Sequence, residues 1–92
     1  MLSQFPIDLN KVSEKNIDKE ILRIGMIAEL DAVSLYEQLA AKTEDIHLKK
    51  ILLDIAKEEK THVGEFQALL LERDKEQVME LEKGKEEVDE LK

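Results

Sequence analysis

The chain has no cysteine among its 92 residues, which excludes disulfides, thiolate metal sites and thiol nucleophiles. It has a single proline, Pro6, and only 3% aromatic residues, so the strongest helix breaker and the aromatic strand formers are scarce. An apolar run of the about eighteen residues that a membrane span needs is also missing. The opening stretch "MLSQFPIDLN" lacks the charged-then-apolar layout of a secretory signal. A soluble, cytoplasmic protein with no membrane partner is the expectation. Basic residues are in the minority, 14 against 22 acidic ones, for a net charge of −8. Such a surface repels phosphates, so no nucleic-acid partner is expected. It attracts cations, although solubility alone accounts for the overall charge.

What is present points to helices. Charged residues make up 39% of the chain, and Leu, Ile, Ala, Glu and Lys dominate the rest. Residues 1–92 form one small domain, too short to bury a large core alone. Residues 1–12 read as an extended leader. Residues from Ser13 to Asn16 offer caps for a first helix over about 14–41, with Asp18 and Glu20 near its positive end. Thr43 or Asp45 caps a second helix over about 44–72. The short link between the two forces an antiparallel hairpin. "DKEQ" at 74–77 has capping-box spacing, with Asp74 as cap and Gln77 reaching back, and opens a third helix over about 75–91, interrupted or ended near Gly84. The predicted fold class is all-α: a two-helix hairpin plus a short C-terminal helix, dimerising into a four-helix bundle.

On a wheel of about 100° per residue, Leu22, Gly25, Met26, Glu29, Ala32, Val33, Tyr36 and Ala40 share one face of the first helix. Ile21, Ile24, Ala28, Leu30, Leu35 and Leu39 widen its apolar arc beyond what one partner helix covers, which predicts packing against another copy. The second helix carries Leu48, Leu52, Ile55, Glu59, His62, Val63, Phe66 and Leu70 on its main stripe. A narrower strip of Ile46, Leu53, Gly64 and Leu71 predicts a further contact surface.

Glu29 and Glu59 lie near the centres of the two main stripes, and His62 one step toward an edge. With the turn near Thr43, Glu29 is fourteen residues before it and Glu59 sixteen after. At about 1.5 Å per residue both sit roughly 21–24 Å from the turn. Two carboxylates and an imidazole thus meet at one level, where they must satisfy one another or hold a metal. Iron and manganese accept such mixed ligands, and a carboxylate can change its binding mode as the metal is oxidised. A bare Glu-x-x-His is a weak signal. Its place on an apolar stripe, opposite Glu29, strengthens it. Ferritin-like di-metal bundles use two lone Glu and two Glu-x-x-His pairs; one chain supplies half, so two chains related by a two-fold axis complete the set.

Other polar residues have plainer readings. Tyr36 is either a core tyrosine with a local partner or a second layer around Glu29. His47 reads as a surface residue; Glu58, four residues before His62, could compete as a ligand but with Glu65 reads as an outer neighbour of the site or a surface residue; Met26 and Met79 read as core filler. The segment from Glu72 to Lys92 carries nine acids against five bases and reads as a solvated face, with packing between dimers as the alternative.

"MIAELDAVSLYEQLA" at 26–40 and "KILLDIAKEEKTHVGEFQALLLE" at 50–72 resemble the encapsulated ferritins, short ferritin-like proteins that act inside encapsulin nanocompartments. The family's E-L-E/D-A-V-x-x-Y and E-E-K-x-H patterns are both present. The resemblance implies iron ligation by Glu29, Glu59 and His62, a second-shell role for Tyr36, and a place for Asp31 on the metal entry route. It implies a di-iron centre, dimers arranged in a ring, often a decamer, an encapsulin shell protein as partner, and residence inside that compartment. Ala28 stands where the family commonly has a second acid and Leu35 where it has an aromatic, which bears on metal entry. The chain closes on "EEVDELK" without a targeting peptide, as an excised domain of a shell fusion would.

The function expected is that of a ferroxidase, oxidising Fe(II) to Fe(III) with dioxygen or peroxide for storage. The alternatives are a rubrerythrin-like di-iron peroxidase and a metal-free hairpin scaffold or adaptor.

Overall fold

A computed structural model of the protein describes residues 8–92. Two 3-10 turns, Leu9–Lys11 and Glu14–Asn16, precede three helices: α1 (Ile17–Lys42), α2 (Ile46–Leu71) and α3 (Lys75–Glu90). There is no strand among the described residues. α1 and α2 are each 26 residues long, about 39 Å, and pack antiparallel across the three-residue link 43–45.

The link is closed by side chains the sequence supplies for it. The Thr43 hydroxyl accepts from the Asp45 N–H at 3.2 Å, and the Asp45 carboxylate accepts from the Leu48 N–H at 3.0 Å, so Asp45 is the cap of α2. Asp74 caps α3 in the same way, accepting from the Gln77 N–H at 3.0 Å. Its other carboxylate oxygen takes the Arg23 guanidinium at 3.2 Å, which ties the base of α3 to α1.

Three local expectations are corrected. Neither Ser13 nor Asn16 caps α1 through its side chain; the Asn16 amide donates to the Ser13 hydroxyl, and the chain enters α1 through the second 3-10 turn. The described end of the supposedly extended leader contains the first 3-10 turn, whose Leu9–Lys11 segment is capped by Asp8; residues 1–7 lie outside the described region. Gly84 neither interrupts nor ends α3, which runs on to Glu90. One glycine costs a helix about 1 kcal/mol relative to alanine, too little to stop a helix already capped and flanked by Glu, Lys and Leu.

The hairpin's own core is thin. Leu22, Val33, Ala40, Ala56 and Leu70 are its buried apolar residues, and Asp31 is buried with them. Met79, expected as filler, is largely exposed, as are Ile46, Leu53 and Leu30. None of α3 is buried. Beyond Gln77 every residue of α3 is exposed, so little of it is covered by the hairpin. At its base an apolar groove of about 420 Å³ opens between Met26, Ile27 and Leu30 of α1, Leu70 and Leu71 of α2, and Leu81 of α3.

Candidate metal centre

Halfway along the hairpin the three polar residues of the two main stripes come together. The link centres on Glu44, and Glu29 and Glu59 each lie fifteen residues from it. The His62 Nδ1 is 3.3 Å from a carboxylate oxygen of Glu29 and 3.3 Å from one of Glu59. Glu59 and His62 are one turn apart on α2, the spacing at which two side chains of a helix meet. Glu29 arrives from α1 across the interface.

One ligand atom from each residue lies within 4.8 Å of the others. Two ligands at about 2.1 Å from a common ion and at right angles stand about 3 Å apart, so the observed spacing suits a shared cation. The donor set, two hard carboxylates and one imidazole, suits a first-row divalent ion such as iron or manganese. In its absence, a histidine nitrogen wedged between two acids is their local partner.

Exposure is uneven around this cluster. The Glu29 and Glu59 side chains retain 20% and 19% of their accessible surface, but that of His62 retains 45%. The flank on the His62 side is open.

The remaining candidates separate. Tyr36 lies on the Glu29 face two turns further along α1 and is half-buried. No hydrogen-bond partner of its hydroxyl occurs among the described residues, so within one hairpin it does not reach Glu29. Asp31 is buried at 7% accessibility. Two residues from Glu29, it points about 200° away around α1 and is outside the three-residue cluster. His47, Glu58 and Glu65 are exposed.

Sequence reasoning overlooked Arg23, which bonds Glu20 at 2.8 Å as well as Asp74 and so joins the starts of α1 and α3. A lone arginine beside an apolar stripe carries no signal of a partner 51 residues away.

Helices in this arrangement, with a carboxylate–imidazole cluster between them, define a ferritin-like domain. The rubrerythrin family model matches residues 20–92. A ferritin-like–encapsulin shell fusion protein of Pyrococcus furiosus is 58% identical over 99% of the chain. The chain spans only 27% of that relative's length. The crystal structure of the encapsulated ferritin domain from Pyrococcus furiosus superposes with a TM-score of 0.84 at 57% identity, covering 99% of this chain and 95% of that one. The chain belongs to the rubrerythrin family and, within it, to the encapsulated ferritin domains.

Proposed function

We propose that the protein is a ferroxidase whose di-iron centre is shared between two chains and is held by Glu29, Glu59 and His62 of each. The observation that carries this reading is the half-open cluster: three ligand atoms within 4.8 Å of one another, with His62 still 45% exposed. A two-fold mate set against that flank would bring a second Glu29 and a second Glu59–His62 pair, completing the ligand set used by ferritin-like bundles. The exposed apolar residues Ile21, Leu30, Leu39 and Leu53 give the mate, and a larger ring, apolar surface to cover.

Fe(II) is the substrate. Two Fe(II) give up one electron each; with two protons these reduce one peroxide to two waters, or one dioxygen to peroxide. The carboxylates favour the product because their attraction to a cation grows with its charge. His62 adds a neutral donor that keeps the site from becoming purely anionic. A hairpin of this size encloses no space for mineral, so storage requires a surrounding shell. The Pyrococcus relative is by its name joined to an encapsulin shell; we infer the same compartment for this chain.

Anaerobic loading with Fe(II) followed by elemental analysis should give one tightly held iron per chain, and oxidation should follow on adding dioxygen or peroxide. Two tight irons on a monomeric chain would sink the shared site. No stoichiometric iron would leave the scaffold reading in its place. The rubrerythrin family match keeps a peroxidase in view, although the 92 residues hold no cysteine for a rubredoxin-type iron centre. A peroxidase would use peroxide in strong preference to dioxygen; a ferroxidase of this kind accepts dioxygen.

A further inference from the structure

One turn of helix away from the cluster lies a contact that none of the ligand chemistry requires. An edge of the Phe66 ring rests on Gly25. A Cβ built on Gly25 would stand 2.8 Å from one ring carbon, 2.9 Å from the next and 3.0 Å from the third. Side-chain carbons do not approach so closely, so the position admits glycine only while the ring stays where it is. The other two glycines differ. A Cβ on Gly64 or Gly84 would meet nothing within 4 Å.

The placement of this contact matters. Gly25 is four residues before Glu29 on α1, and Phe66 is four residues after His62 on α2. In an antiparallel pair those offsets match, so Gly25–Phe66 and Glu29–His62 are consecutive rungs of one register, about 6 Å apart along the helices. Whatever sets the height and separation of the first rung sets those of the second. Glu29 is the one ligand contributed by α1, and its 3.3 Å approach to His62 depends on both.

We propose that Phe66, seated on Gly25, is a positioning pair for the metal centre: the ring locks α1 against α2 so that Glu29 reaches the Glu59–His62 pair. This rests on the reading of those three residues as metal ligands. It accounts for a glycine, the poorest helix former after proline, in the middle of a helix and on its interface stripe. A methyl group there must push the ring off its seat or α1 away from α2. Either change moves Glu29 relative to His62 and leaves both residues present.

Two readouts test this, on full-length protein. The first is the ring 15N and 1H resonances of His62 in the metal-free state, which report its two carboxylate neighbours. They should shift in Gly25→Ala and in Phe66→Leu, and stay in place in Gly84→Ala. The second is Co(II) binding, followed by its visible absorption. Displacing the support of a ligand costs about ten- to a hundred-fold in metal affinity, so Gly25→Ala should bind that much more weakly with an altered spectrum. The double variant Gly25→Ala/Phe66→Leu, in which the clash is removed, should recover part of the loss. Should Gly25→Ala fail to fold, Phe66→Leu and the double variant carry the same comparison without a clash. Parental His62 resonances and Co(II) affinity in Phe66→Leu, or in a folded Gly25→Ala, would overturn the proposal. A parent that takes up no metal while its His62 resonances respond as described would instead overturn the ligand reading and leave the register lock standing.

Discussion

His62 touches two carboxylates at once, and its truncation distinguishes a ligand from a packing residue. With 45% of its side chain exposed, the imidazole fills no closed cavity, so His62→Ala should change the metal-free melting free energy by less than about 1 kcal/mol. Part of that change is the loss of the group standing between two like charges. Iron oxidation should instead slow by about tenfold or more, since even supporting residues of a metal site cost that much. Glu58→Ala is the control: Glu58 is exposed and outside the cluster, and its removal should leave oxidation near the parental rate. Thermal melts beside oxidation rates for the three proteins decide it. A His62→Ala variant that melts far below the parent yet oxidises iron at the parental rate would show a structural histidine. The triad is legible in the sequence because a carboxylate centred on each of two facing stripes, at equal distance from a short turn, has only one place to go. The burial of Asp31 is not legible in the sequence. Helical periodicity sets the residue opposite Glu29, and nothing in the pattern shows that this side of α1 is covered.

At the scale of elements, the sequence marks helix ends well where a side chain does the capping and poorly where the backbone does. Asp45 and Asp74 both stand where their carboxylates meet an N–H three residues on, which is why residue types alone place the starts of α2 and α3. The entry to α1 is made by a 3-10 turn with no side-chain cap, and Gly84 is carried through because its neighbours favour helix. The tie between the starts of α3 and α1 is not readable from the pattern, since it consists of Asp74 bonding an arginine in another helix. Comparing a variant that loses both functions of Asp74 with one that loses only the ion pair tests what the cap contributes. Asp74→Ala should cost about 1 kcal/mol or more through the lost cap. Arg23→Ala removes an ion pair in which the arginine side chain is 43% exposed, and should cost under about 1 kcal/mol. Hydrogen exchange of the α3 amides is the measurement. Faster exchange throughout α3 is expected in Asp74→Ala, with little change in its first turn in Arg23→Ala. Equal exchange in the two variants would mean that the ion pair, and not the cap, holds the start of α3.

For the whole molecule the decisive feature is the disproportion between apolar surface and what one chain covers. Among the described residues five apolar ones are buried, while Ile21, Leu30, Leu39, Leu48, Leu53, Met79 and Val88 are among the large ones left exposed. The flank of the cluster at His62 is uncovered as well, so in the proposed shared centre metal binding and association are one equilibrium. Two chains brought face to face without a cation would set four carboxylates, two Glu29 and two Glu59, around one axis. Like charges at that distance oppose association, whereas the buried apolar surface favours it. A divalent ion changes the balance by cancelling the repulsion, and because it binds the complete site only, it stabilises the assembled form by mass action. At a free metal concentration one hundred times the dissociation constant each bound ion contributes about 2.7 kcal/mol, enough to move the midpoint of association by about a hundredfold in protein concentration per ion. Native mass spectrometry or light scattering across a dilution series, with and without Fe(II) under anaerobic conditions, measures it. Glu29→Gln with Glu59→Gln removes the repulsion without removing the shape, so this variant should associate in the absence of metal and lose its response to Fe(II). If the parent shows the same midpoint with and without Fe(II), the metal does not lie between the chains, and the open flank beside His62 has some other occupant.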